Sequence, residues 1–227
     1  ISLTALTSGR HPAQQRLAFE ELLAHQLALR LLRQTSRSEH AWSLRDGEQR
    51  TQQFVASLPF QLTGAQRRAL TEVARDLDAE RPMARLVQGD VGCGKTVIAA
   101  AAAARAVGCG LQAALMAPTE LLAEQHARNF DGWFRPLGLP VALLTGSQPA
   151  RTRRSALEAI ASGEIKLIVG THTLFQQGVA FQSLALTIVD EQHRFGVQQR
   201  CTRRTCAAPA DHDGDTDPPH PRDDRLR

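Results

Sequence analysis

Two hydrophobic periods alternate along the middle of this chain. The short apolar runs ARLVQ (84–88), AALMA (113–117), VALLT (141–145), KLIVG (166–170) and ALTIVD (185–190) read as β-strands. Between them, Ala-rich or amphipathic stretches at 95–107, 119–134 and 149–161 read as helices. Such alternation predicts an α/β fold, a parallel sheet with helices on both faces. Ligands then collect at the carboxyl ends of the strands, where the loops leave for the helices. Ahead of this region, HPAQQRLAFEELLAHQLALRLLRQ carries Leu17, Leu22, Leu23, Leu27, Leu31 and Leu32 at helical spacing, with Pro12 suited to a helix start. It predicts one long amphipathic helix whose leucines pack on a neighbouring domain or on the body of this one. Residues 34–57 are polar and weakly patterned and read as a connector. The stretch CTRRTCAAPADHDGDTDPPHPRDDRLR (201–227) contains no Val, Ile, Phe or Met. It cannot bury a core and is expected to be disordered.

Composition narrows the class only a little. With 227 residues, 42% of them hydrophobic, the chain can build a packed core. A net charge of +4 permits a nucleic-acid partner without arguing for one. No apolar run approaches the ~20 residues that span a bilayer, and the first residues lack the basic-then-apolar order of a secretory signal. The expectation is a cytoplasmic protein with no membrane partner. Cys93, Cys109, Cys201 and Cys206 fall in no ligand-like pairs of pairs, which fits a reduced compartment. Cys201 and Cys206 with His212 and His220 are read as a chance cluster and not a zinc site.

The chemistry enters at GDVGCGKT. Gly89, Gly94, Lys95 and Thr96 satisfy the spacing of a phosphate-binding loop, after an apolar run and before a helix. Glycines 89, 92 and 94 let backbone N–H groups point inward around a polyphosphate, and the helix N-terminus adds its positive dipole end. Lys95 then reaches the β- and γ-phosphates, and Thr96 offers its hydroxyl to Mg²⁺. A metal-holding carboxylate is supplied by Asp190, at the end of the last apolar run, and Glu191 is placed to deprotonate the attacking water. LPFQLTGAQ puts Thr63 at a helix N-cap with Gln66 three residues later. Gln66 is thus either one half of a capping box or a reader of an adenine edge. APTELLAEQH (117–126) and GTHTLF (170–175) follow strands and carry small polar residues of the type that contacts a nucleic-acid backbone.

In their order and separations, LTGAQ, GDVGCGKT, APTELLAEQH, TGS, GTH and DEQHRFGVQQR resemble the Q motif and motifs I, Ia, Ib, Ic and II of a superfamily 2 helicase. More narrowly, the string resembles the RecG-type ATP-dependent DNA helicases. The resemblance covers residues 58–200 and implies a RecA-like first motor lobe that binds ATP and Mg²⁺ and acts on branched or fork DNA in repair and recombination, as a monomer. It implies that Gln66, Gly89, Asp90, Val91, Gly92, Cys93, Gly94, Lys95 and Thr96 hold nucleotide, with Thr96 and Asp190 at the metal. Catalysis falls to Glu191, Asp190 and Lys95. Pro118, Thr119, Glu120, Gly146, Thr171 and His172 would lie along the DNA backbone. His193 would couple the ATP and DNA sites, and Arg194 with Phe195 would begin a DNA-sensing loop.

By the same resemblance, residues 1–57 are the linker helix and connector from a preceding wedge domain. A second lobe with an arginine finger would follow residue 200, so the chain alone is expected to turn ATP over hardly at all. Residues 201–227 are read as the product of a single-nucleotide frameshift. Written with suitable codons and regrouped from the second base of His212, residues 212–218 become Met-Thr-Ala-Thr-Pro-Ile, the family's next motif. Competing readings are the first lobe of a transcription-repair coupling translocase, an RNA-dependent ATPase, or a nucleotide-binding switch without motor activity.

Overall fold

The computed structural model describes residues 11–37, 40–90, 92–175 and 178–190. Its centre is a sheet of four parallel strands, β1 (Gln112–Met116), β2 (Val141–Leu144), β3 (Leu167–Gly170) and β4 (Leu184–Val189), in the order β2-β3-β1-β4. Ala113 pairs with Leu167 on one side and with Leu186 on the other, so strands distant in sequence are neighbours in space. The returns from β1 to β2 and from β2 to β3 each run through an α-helix, and the longer link from β3 to β4 carries a 3-10 turn at His172–Phe175. Six α-helices are described: α1 (Pro12–Arg37), α2 (Glu48–Ser57), α3 (Gly64–Leu77), α4 (Lys95–Gly108), α5 (Glu120–Phe134) and α6 (Ala150–Ala161). None of them is long and apolar enough to cross a membrane.

Alternation along the strands divides the core in two. Ala113, Leu115, Leu167, Val169 and Leu186 pack with Phe54 of α2, Val73 of α3, the alanines of α4 and Phe130 and Phe134 of α5. Ala114, Met116, Ala142, Leu144 and Ile168 face the other way, onto Ile160 of α6 and Leu174. Helices therefore cover both faces, as the pattern predicts. The run of small residues in α4 lets it lie close to its neighbours, and six of its alanines are at most 6% exposed. Buried Arg105, near the end of α4, donates from Nη2 to Asp78 Oδ1 at 2.6 Å and so ties α4 to the end of α3.

Two expectations need correction. Residues 84–88 are not a strand: residues 82–90 have no regular secondary structure and no place in the sheet. Arg85 anchors this segment to α3, with Nε 2.6 Å from Asp76 and Nη1 2.8 Å from Glu72, and Leu86 is 66% exposed. An apolar run reads alike whether or not a neighbouring strand pairs with it. Residues 34–57, read as connector, include α2, whose Phe54 is fully buried against Phe134 at 4.8 Å between ring centres. Close approach of α4 permits this: at Gly47 a β-carbon would collide with the Arg105 carbonyl, and at Gly108 with Gly47. Five leucines of α1 stay outside the core, with Leu17, Leu22, Leu23, Leu27 and Leu31 between 45% and 67% exposed.

Candidate functional site

The carboxyl ends of the strands gather the predicted residues at one edge of the sheet. Pro118–Glu120 follow β1, Thr145–Ser147 follow β2, Thr171 and His172 follow β3, and Asp190 follows β4. The phosphate loop leads into the N-terminus of α4, whose first residues are Lys95 and Thr96. Gly92 and Gly94 adopt φ of 82° and 83°, the left-handed region that favours glycine. A β-carbon at Gly94 would also displace the Gln66 amide, whose Nε2 lies over the same space. Lys95 Nζ donates to Gly89 O at 2.6 Å and to Asp90 O at 2.8 Å, folding the ammonium into the loop. Cys93 is exposed, its Sγ 3.8 Å from the same ammonium. Val91 lies outside the described residues.

Gln66 does two structural jobs at once. Its Oε1 accepts from Thr63 N at 2.8 Å while its backbone N–H donates to Thr63 Oγ1 at 3.2 Å, the complete capping box. Its Nε2 donates to Cys93 O at 2.9 Å. The first turn of α3 is therefore tied to the phosphate loop through one amide, and contact with an adenine edge requires that amide to exchange partners. Beside it, residues 58–62 with Val55 and Arg67 line a groove of about 480 Å³ to which Phe60 contributes a half-exposed ring.

Asp190 is held from two sides. Its backbone N–H donates to Met116 O at 2.9 Å, extending the β1–β4 pairing by one residue. Its carboxylate Oδ2 lies 2.7 Å from Nε2 of His126, a buried residue of α5. Glu191, His193, Arg194 and Phe195 lie outside the described residues, as do Cys201, Cys206, His212 and His220.

On the side assigned to nucleic acid, several roles shift. Thr119 caps α5, accepting from Leu122 N at 3.3 Å, with its side chain at the surface. Glu120 points into the turn after β2: its carboxylate accepts from Gly146 N at 2.9 Å, Ser147 N at 3.1 Å and Ser147 Oγ at 2.6 Å. The Ser147 hydroxyl, helped by those amides and by His172, holds the Glu120 carboxyl below the usual glutamate range. Glu120 thus shapes the turn, and the Gly146 amide is spent on it. Thr171 is 3% exposed, its hydroxyl 3.2 Å from that of Thr173, which donates to Leu144 O at 3.1 Å. The Thr171 side chain is thus held inside, at the exit of β3. His172 next to it is exposed.

Over residues 63–212 the sequence matches the DEAD/DEAH box helicase family. The chain belongs to that family. It is 55% identical over 200 residues to the ATP-dependent DNA helicase RecG of Escherichia coli O157:H7, covering 88% of this chain and 29% of that protein. To the RecG of Haemophilus influenzae it is 53% identical over 204 residues, 90% of this chain and 29% of the other. A solved structure of RecG bound to a three-way DNA junction is similar at a TM-score of 0.69 and 41% identity, over 80% of this chain and 25% of that one. The chain thus spans 29% of the length of these curated relatives.

One residue of this DEAD/DEAH box lobe escaped the sequence reading. His126 closes the quoted stretch APTELLAEQH, yet it takes no part in the predicted site. The available signal is its place on the apolar stripe of α5 with Ala123, Phe130 and Phe134, where a polar side chain needs a partner. Periodicity announces that need without saying which element meets it.

Proposed function

We propose that the chain is the nucleotide-binding lobe of an ATP-dependent DNA helicase that remodels branched DNA in repair and recombination, working in the cytoplasm as a monomer. The observation that carries this reading is the phosphate loop at the start of α4 together with Asp190 at the carboxyl end of β4. Similarity to RecG adds DNA as the track. Gly89, Asp90, Val91, Gly92, Cys93 and Gly94 wrap the phosphates, and Lys95 exchanges its two loop carbonyls for phosphate oxygens. Thr96 and Asp190 are oxygen donors suited to a hard divalent cation and would hold Mg²⁺. When bound, that ion neutralises charge developing on the phosphates. Glu191 takes the proton of the attacking water, and Gln66 contacts the adenine. DNA backbone runs over Pro118, Thr119, the turn around Gly146 and His172, with His193, Arg194 and Phe195 linking that surface to the nucleotide.

Binding of a fluorescent ADP in the presence of Mg²⁺ tests the reading. The chain should bind it and Lys95→Ala should lose roughly tenfold or more, since a charge-assisted contact to phosphate goes with the side chain. Equal binding by both would overturn it. DNA binding should weaken steeply with salt, and RNA of the same sequence should compete poorly. Equal competition would move the reading to an RNA-dependent ATPase.

A further inference from the structure

We infer that His126 is a positioning residue for the Asp190 carboxylate. The inference rests on the metal-holding role proposed for Asp190. His126 Nε2 and Asp190 Oδ2 are 2.7 Å apart, the length of a charge-assisted hydrogen bond. The other ring nitrogen, Nδ1, is buried and has no hydrogen-bond partner among the described residues. Between the two neutral tautomers, this asymmetry favours the proton on Nε2. A proton on Nδ1 would bury an unsatisfied donor and set the Nε2 lone pair against a carboxylate oxygen at 2.7 Å. With the proton on Nε2, the ring donates to Oδ2 and leaves Nδ1 as a bare acceptor.

The consequence is geometric. A carboxylate at a strand end can rotate about two bonds, and each rotation moves the oxygens that would help hold a cation. Asp190 has its main chain fixed by Met116 of β1 and its side chain fixed by His126 of α5. The imidazole holds Oδ2, so the plane of the carboxylate is set from the α5 side. His126 itself cannot swing away, because it is 9% exposed on the face of α5 that carries Ala123, Phe130 and Phe134 into the core. Helix α5 also starts at Glu120, which sets the turn after β2. One rigid helix therefore organises the proposed DNA-side turn at its beginning and the proposed metal carboxylate two turns later.

The test is the Mg²⁺ concentration needed for tight binding of a fluorescent ADP, measured on the whole chain. His126→Leu removes the donor and keeps the bulk. It should raise the half-saturating Mg²⁺ concentration about tenfold while leaving Mg²⁺-free ADP binding unchanged, as loss of a hydrogen-bonded partner behind a metal ligand does. His126→Gln, whose amide can donate from nearly the same place, should recover most of the loss. Asp190→Asn separates the two levels. If it shifts the Mg²⁺ dependence and His126→Leu does not, the positioning role is wrong and the metal role stands. If Asp190→Asn shifts nothing, both fall. A His126→Leu chain that fails to fold is covered by nitrogen NMR of the imidazole in the unaltered chain. The Nε2–H tautomer, with a proton resonance moved by Asp190→Asn, supports the inference, and an Nδ1–H tautomer overturns it.

Discussion

Cys93 allows the phosphate loop to be probed without replacing a glycine. Its carbonyl holds Gln66 and its exposed sulfur lies beside the Lys95 ammonium, so a group attached to Sγ stands where the ammonium must move. Cys109 makes a built-in contrast: it is half-buried, and burial pushes its thiol up, away from the reactive thiolate. Iodoacetamide should therefore modify Cys93 well before Cys109 by peptide mass mapping, and loss of ADP binding should track the Cys93 peptide alone. Bound nucleotide should protect, and Cys93→Ser should resist; equal loss in that variant would defeat the argument. Glu120 offers a pH test. Its folded-state value is depressed, so its contribution is complete above the ordinary glutamate value of about 4.3 and fades as pH falls through the lower folded value. The amide resonances of Gly146 and Ser147 should titrate with a midpoint below that ordinary value, and Glu120→Gln should abolish the titration. The same carboxylate separates positioning from plain charge. Removing a negative group near DNA should tighten binding by Coulomb's law, whereas loss of the clamp on Gly146 and Ser147 should weaken it. We expect Glu120→Ala to weaken DNA binding in an anisotropy titration.

Among the elements, legibility followed the kind of information each one uses. Four of the five expected strands and all three helices of the α/β region were legible, because their apolar residues alternate or recur against a core that consumes that pattern. The capping box of Thr63 and Gln66 was legible because it is written within four residues. What the pattern did not carry depends on contacts outside the run itself. The run at 84–88 is bound to α3 by Arg85, and α2 hides a core residue, Phe54, in a polar stretch. The contacts of His126 and Glu120 are likewise outside any local pattern, since Asp190 lies 64 positions and Gly146 26 positions away. Phe54 supplies the element-scale prediction. It is fully buried, stacked on Phe134 and edge-on to Trp133 at 6.2 Å. Phe54→Ala should cost about 3–5 kcal/mol in urea unfolding, a large part of a typical ~5–15 kcal/mol total. A cost under about 1 kcal/mol would mean that α2 docks without contributing to the core.

For the whole molecule the open quantity is where the folding unit begins. Polar patterning puts the boundary at residue 58, whereas packing moves it toward residue 40, since Leu44 is 1% exposed, Phe54 is fully buried, and Gly47 lies against the α4 backbone. Helix α1 contributes differently: Leu17, Leu22, Leu23, Leu27 and Leu31 remain largely exposed, so removing it should take little apolar area out of the core. A version starting at residue 40 should therefore keep the unfolding midpoint of the whole chain, while one starting at residue 58 should lose most of its stability. Nucleotide makes the comparison functional as well. α2 packs on α4, and α4 begins with Lys95 and Thr96, so a core opened at Phe54 loosens the helix that presents the phosphate loop. A ligand that binds only the folded state at 100 times its dissociation constant adds about 2.7 kcal/mol. Mg²⁺-ADP at saturation should accordingly raise the melting temperature of the whole chain and of the version from residue 40 by the same amount, and should barely move the version from residue 58. Equal stability and equal nucleotide response in that last version would return the boundary to residue 58 and reduce α2 to the connector its polar sequence resembles.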